Sequence, residues 1–135
     1  MKFKTLTGSE KRVSKPRKYL VDWECKSKSK IQFEAKQFLR KYWKDHVVFE
    51  EFPIAGTRLS FDFYNANKKV AVEVQGAQHT KYVPFFHGRK SQFVSQLRRD
   101  QQKIDFCELN NIKLVEVFHD DKISEKIFKE NGVIL

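Results

Sequence analysis

The stretch that decides the fold is RLSFDFYNANKKVAVEVQGAQH, Arg58 to His79. Hydrophobic residues alternate with others on both sides of the turn-rich segment NANK, which is the pattern of a β-hairpin. We therefore expect strands over residues 58–64 and 69–75. Three polar residues break the apolar pattern of these strands, and they are Asp62, Glu73 and Gln75.

Because successive side chains of a strand alternate between its two faces, these polar residues are expected on one side of the hairpin. Two antiparallel registers fit the sequence, one with Asp62 opposite Ala71 and the other with Asp62 opposite Glu73. In either register Asp62 shares a side with Glu73 and Gln75. The opposite side is expected to build the core, and its residues are Leu59, Phe61, Phe63, Val70, Val72 and Val74.

Two carboxylates on one face suggest a cation site. Neighbouring carboxylates repel each other, so keeping both ionised in a partly dry site calls for a cation. Mg²⁺ prefers oxygen ligands and keeps several waters, and it polarises a phosphodiester and activates water. A hairpin with one face in water shows the same alternation, so alternation alone leaves both interpretations open.

The remaining chain predicts a mixed α/β sandwich around a small sheet, in the order α-β-β-β-α-β-α. In the first helix, Glu34 is expected on the flank that faces the core. The other expected elements are a helix over residues 30–44, a strand over 46–53, a helix over 91–109, a strand over 112–118 and a helix over 121–132.

A polar stripe marks the later helix, where Gln96, Arg99, Asp100 and Lys103 recur at helical spacing. Cations there could clamp a phosphate or stabilise charge that develops in a transition state. A solvated face with an ion pair to Asp100 is the alternative.

Composition indicates one soluble, intracellular, cytoplasmic domain. The chain has 135 residues, and no apolar run approaches membrane-spanning length, so we expect no membrane association. Two cysteines are too few for a disulfide framework, and the four histidines form no HxxxH pair, so zinc is not expected.

The net charge of +10 is uneven. Residues 1–30 hold ten basic and three acidic side chains, a net charge of +7, which leaves +3 for the other 105 residues. A basic arm over residues 1–29 is typical of nucleic-acid binding, although a disordered solubilising tail has the same composition. The residues expected to contact the DNA backbone are Lys11, Arg12, Lys15, Arg17 and Lys18, with Arg98 and Arg99 from the later helix.

Two stretches, FDFYNANKKVAVEVQGAQH and FVSQLRRDQQKIDFCELNNIKLVEV, resemble the PD-(D/E)xK nuclease superfamily, most closely the branch with the very-short-patch mismatch-repair endonuclease and homing nucleases. The resemblance covers residues 31–118. It implies an αβββαβ restriction-endonuclease-like core within a domain over residues 30–135. It also implies a Mg²⁺-dependent endonuclease, with Mn²⁺ substituting, that acts on double-stranded DNA.

The resemblance implies roles for individual residues. Asp62 and Glu73 would bind the metal, with the Val74 carbonyl as a further ligand and Glu34 nearby. Gln75 occupies the position of the motif lysine and cannot act as a cationic acid or base. His79 would act as general acid or base, whereas Asp100 and Lys103 would support the site.

The missing motif lysine leaves several functions open. Lys103 could supply the cation, His79 could handle the proton, or metal-bound water could suffice. A single site favours a nicking monomer, or a homodimer that cuts both strands. The alternatives are a non-catalytic nucleic-acid-binding module on the same fold and a dimeric nuclease for branched DNA.

Overall fold

The structure is a computed structural model that describes residues 1–75 and 90–135, with side chains for 1–75 and 94–135. Its strands are β1 Lys2–Lys4, β2 Glu10–Arg12, β3 Val48–Pro53, β4 Ser60–Asn65, β5 Val70–Gln75 and β6 Lys113–Phe118. Its helices are a 3₁₀ turn at Pro16–Tyr19, α1 Lys30–Trp43, α2 Lys90–Leu109 and α3 Glu125–Glu130.

A four-stranded mixed sheet organises the domain, in the order β3-β4-β5-β6. The first three strands are antiparallel, and β6 runs parallel to β5. The fold is mixed α/β with a small sheet, and the elements between α1 and α3 follow the predicted order among the residues that the structure describes. No helix in the described part of the chain is long and apolar enough to span a membrane.

Local sequence explains where α1 begins and where the hairpin turns. The Ser29 side chain caps α1 by accepting the Gln32 N–H, and the apolar residues of α1 recur on one face. In the hairpin, the buried Asn65 side chain accepts the Lys68 N–H, and Lys69 has a φ of +56°. This turn fixes the pairing of β4 with β5 and therefore the register of the polar residues.

Each face of the sheet carries its own hydrophobic core. One core packs α1 and α3 against the valines of β5 and β6, around Trp43, Phe63 and Phe128. The other core packs α2 and β1 against the opposite face, around Phe52 and Phe106.

The prediction that Phe61 and Phe63 share one face of β4 is wrong. Phe63 packs in the core beside α1, whereas Phe61 packs with Tyr64 in the core beside α2. The ladder pairs Glu50 with Phe63 and Phe52 with Phe61, which leaves Glu51 opposite Asp62. Glu51 has a φ of +53°, and a left-handed residue of this kind twists the ladder locally. The simple alternation of β4 side chains between the two faces of the sheet is therefore interrupted at Asp62.

The first 29 residues contain the β1–β2 hairpin and the 3₁₀ turn. Phe3 and Val13 are buried in the core beside α2, while the lysines and arginines of this segment are exposed. The Lys4 N–H also donates to the Asn110 side chain at the end of α2. The boundary at residue 29 stays a prediction, but the basic segment shares a core with the rest of the domain.

Candidate active site

Asp62 and Glu73 face each other across the β4–β5 hairpin. The ladder pairs Phe63 with Val72, so the second of the two predicted registers is present. The Asp62 N–H donates to Glu73 Oε2 at 2.7 Å, and the Val74 N–H donates to Asp62 Oδ2 at 2.8 Å. Each carboxylate is thus anchored by the backbone of the opposite strand. The predicted side parity of the two residues is confirmed.

The two carboxylates are destabilised as anions by their surroundings. Glu73 is only 4% exposed, and burial raises its pKa although Lys103 opposes the shift. Burial, followed by the charge of Glu73, raises the pKa of Asp62 to about 7. An added positive charge would stabilise both ionised forms.

Lys103 brings a cation to this pair from α2. Its Nζ donates to Glu73 Oε1, and its side chain is largely buried. The position follows from helical geometry, because Phe106 and Cys107 in the next turn of α2 pack against the sheet. We call Asp62, Glu73 and Lys103 the carboxylate cluster. With both acids ionised it has two negative charges and one positive charge.

Gln75 lies two residues after Glu73 on β5, and only 4% of its surface is exposed. It lines a cavity of about 530 Å³ whose wall includes Asp100 and Glu116. Burial, and then the charge of Asp100, raise the pKa of Glu116. Gln75 therefore occupies an acidic environment, in which an added lysine would find counter-charges.

The other predicted site residues are more scattered. Glu34 lies beside the buried Ala35 on α1, but its side chain is exposed and lines a separate cavity with Val74 and Val117. His79 lies outside the described residues. The predicted DNA-contacting residues are all exposed, and they are Lys11, Arg12, Lys15, Arg17, Lys18, Arg98 and Arg99.

Sequence reasoning missed Glu51. Its Oε1 accepts the Gln32 Nε2–H at 3.0 Å, and its charge helps to raise the pKa of Asp62, which it faces across the β3–β4 ladder. Its left-handed backbone is the kind of strain that is enriched at functional sites. The available signal was the EE pair that interrupts the apolar run VVFEEF.

The donor atoms of the carboxylate cluster suit a hard cation. Within residues 1–75 and 90–135, no three His, Cys, Asp or Glu side chains are grouped so as to hold a metal ion. Mg²⁺, however, commonly uses one or two carboxylates and completes its shell with water and phosphate. Asp62, Glu73 and the Val74 carbonyl offer oxygen donors of that kind.

Comparisons with known proteins find relatives in viruses. The chain is 44% identical to uncharacterized protein 307L of Invertebrate iridescent virus 6 over 59 residues, which are 44% of this chain and 30% of that protein. It is 31% identical to uncharacterized protein 033L of Invertebrate iridescent virus 3 over 102 residues, 72% of this chain and 53% of the relative.

A third relative is uncharacterized protein 094L of Frog virus 3, which is 41% identical over 66 residues, 48% of this chain and 43% of that protein. The chain spans about half or less of the length of these curated relatives. No family model matches the chain, and no solved structure matches it.

Proposed function

We propose that this protein is a metal-dependent endonuclease that hydrolyses phosphodiester bonds in double-stranded DNA, on a core of the PD-(D/E)xK type. The observation that carries the proposal is the carboxylate cluster. Each of the two buried acids accepts a hydrogen bond from the backbone of the other acid's strand. Lys103 neutralises only one of their two negative charges. Two acids on the central strands of a small mixed sheet, with a lysine beside them, are the groups that this chemistry requires.

Asp62, Glu73 and the Val74 carbonyl would hold Mg²⁺, for which Mn²⁺ would substitute. When bound, such an ion polarises the phosphodiester and lowers the pKa of the attacking water. The Asp62 and Val74 N–H groups orient the two carboxylates before any ligand arrives. This pre-organisation reduces the free energy of reorganisation during the reaction.

Lys103 takes the part of the motif lysine that Gln75 replaces. Its ammonium group already contacts Glu73, so it lies where negative charge develops on the phosphate. Because it comes from α2 and not from β5, the sequence spacing of the motif is altered while a cation is retained beside the acids.

Exposed basic residues of the first 18 positions would hold the duplex backbone. The chain has a net charge of +10, and each phosphate contact releases condensed counterions. The single carboxylate cluster in the described part of the chain favours nicking by a monomer, with double-strand cleavage by a homodimer.

A cleavage assay tests the proposal on supercoiled, linear, mismatched and branched DNA with Mg²⁺. We expect Asp62→Asn and Glu73→Gln to lower the rate at least ~100-fold, because each removes a negative charge from the metal site. The matched controls are Asp45→Asn and Glu108→Gln, which alter exposed acids. Equal rates for wild type and both site variants on every substrate would refute the proposal.

A non-catalytic DNA-binding module is the second candidate. The glutamine at the position of the motif lysine favours it, because Gln75 carries no charge. Salt-dependent DNA binding by wild type with no cleavage of any of the four substrates would support this candidate over the first.

A further inference from the structure

A second cavity lies on the other side of β5 from Glu73. It has a volume of about 630 Å³ and is enclosed by α1, the ends of β5 and β6, and the segment after β6. This volume is within the range of small-ligand sites. Val74 and Val117 place the cavity at the carboxyl ends of two parallel strands, where α/β sheets commonly bind ligands.

The floor of this cavity is apolar. Ala35 and Val117 are buried, and Val74 lines the cavity beside them. The Phe38 ring forms one wall and stacks on Phe128 with an interplanar angle of 16°. A flat ring system could therefore bury its faces here without rearrangement of the core.

The rim of the cavity is polar. It carries Lys41, His119 and Lys122, which can meet negative charge, and three acids that can accept hydrogen bonds from ring amino groups, namely Glu34, Asp120 and Asp121. Gln37 donates its Nε2–H to the Trp23 carbonyl at 2.7 Å, which fixes its amide and leaves the amide oxygen as an acceptor. An aliphatic ligand would leave these groups without hydrogen bonds, which is costly. A heteroaromatic ring that carries a phosphate would satisfy them.

Val74 connects the cavity to the carboxylate cluster. Its side chain lines the cavity, while its N–H binds Asp62 Oδ2. We infer that the cavity is a nucleobase subsite that receives an unpaired base of the nucleic-acid strand bound at the carboxylate cluster, where the strand passes the ends of β5 and β6. The inference rests on the proposed nuclease function. The base must be unpaired, because a base that is stacked and paired within a duplex cannot reach a cavity on the protein.

Nucleotide titrations in metal-free buffer test this subsite. Adenosine 5′-monophosphate should shift the methyl NMR signals of Val74 and Val117 saturably, and ribose 5-phosphate should bind at least ~10-fold more weakly because it lacks the base. A single-stranded oligonucleotide should displace the mononucleotide. Failure to displace it would overturn the assignment to a base carried on a strand.

Two substitutions should close the cavity. Ile123→Trp fills it from the segment after β6, and Lys122→Trp narrows its mouth from an exposed position. Each should weaken mononucleotide binding at least ~10-fold. The matched control is Ile134→Trp, which lies at a residue that is 78% exposed and should bind as wild type does. Equal binding by all three variants would overturn the inference.

The cleavage assay separates this inference from the nuclease proposal. If wild type cleaves DNA but no nucleotide shifts the Val74 and Val117 signals, the subsite alone is wrong. If nucleotides bind in the cavity but no substrate is cleaved, the nuclease proposal is wrong and the cavity still binds nucleobases. Asp62→Asn should retain mononucleotide affinity within ~2-fold, because Asp62 does not line the cavity.

Discussion

Residues 1–75 and 94–135 contain two buried groups of acids and lysines, and they differ in whether their charges balance. The first group is the Lys36 network, formed by Lys36, Glu50, Gln32 and Ser27 between α1 and β3. The second is the carboxylate cluster of Asp62, Glu73 and Lys103.

The Lys36 network is closed. Lys36 is 0% exposed, and its Nζ donates to Glu50 Oε1 and to the carbonyls of Asp22 and Cys25, which uses all three of its protons. Glu50 Oε2 accepts from Ser27 and Gln32. Lys36 and Glu50 thus neutralise each other, and the network fastens the segment before α1 to the sheet. The Gln32 amide also donates to Glu51 Oε1, and Glu51 is the residue that links this network to Asp62.

The carboxylate cluster is open, because two acids share one lysine and the pKa of Asp62 rises to about 7. Below about pH 7 a proton neutralises Asp62, and above that pH the excess of buried negative charge lowers the stability of the fold. We propose that a cationic ligand completes the group when both acids are ionised. The comparison teaches that burial of a lysine and a carboxylate does not define a function, whereas the net charge of the group points to one.

The largest expected change in stability comes from a substitution that breaks the closed group. Lys36→Met should lower the free energy of unfolding by about 3–5 kcal/mol, because it leaves Glu50 buried without its cation. Urea denaturation measures this value. Lys41→Met, at an exposed position of the same helix, should change it by less than ~0.5 kcal/mol. Similar stabilities for the two variants would mean that the Lys36 network does not hold the fold.

A smaller and opposite effect is expected at the open group. The pKa of Asp62 is raised from 3.8 to about 7, so the folded protein binds more protons than the unfolded chain between these values. The stabilising contribution is present below about pH 4 and is lost as the pH rises through 7. In buffer with EDTA, Asp62→Asn should therefore raise the free energy of unfolding by about 1–3 kcal/mol at pH 8, with little effect at pH 4.

Asp45→Asn is the control for this pH dependence, since Asp45 is exposed. A variant Asp62→Asn that is less stable than wild type at pH 8 would show that Asp62 is stabilised as an anion. The two buried groups would then not differ in the way described above.

The smallest effect on stability is expected when the open group is balanced. Gln75→Lys adds a second cation near Asp100 and Glu116, whose charges offset the cost of burying the ammonium group, so it should change the free energy of unfolding by only about 1 kcal/mol. In a Lys103→Met background it should restore part of the lost cleavage rate. Gln101→Lys, which lines the same cavity from α2, should restore none. Equal recovery by both lysines would indicate only a general effect of charge.

The sequence predicted the geometry of the Asp62 and Glu73 pair because alternation and turn position together determine which side chains share a face. It failed at Phe61, since the left-handed backbone of Glu51 has no signature in a run of residues that reads as an ordinary strand. The Lys36 network was also missed. Its partners are 11 to 14 residues away from Lys36, and only tertiary packing brings them together.

The sequence did not predict the β1–β2 hairpin, because exposed lysines dominate a segment in which few apolar residues, among them Phe3 and Val13, are buried. Lys103 was singled out as a candidate from its position in the helical stripe. Its contact with Glu73 depended on how α2 packs on the sheet, which periodicity does not determine.

Paramagnetic broadening by Mn²⁺ tests most directly whether only the open group binds a cation. In ¹H–¹⁵N spectra, trace Mn²⁺ should broaden the amide signals of Asp62 and Val74 and leave those of Lys36 and Glu50 sharp. Asp62→Asn should abolish the selective broadening, and Asp45→Asn should preserve it. Broadening that is equal at the two groups, or unchanged in Asp62→Asn, would contradict the assignment of the carboxylate cluster as the metal site.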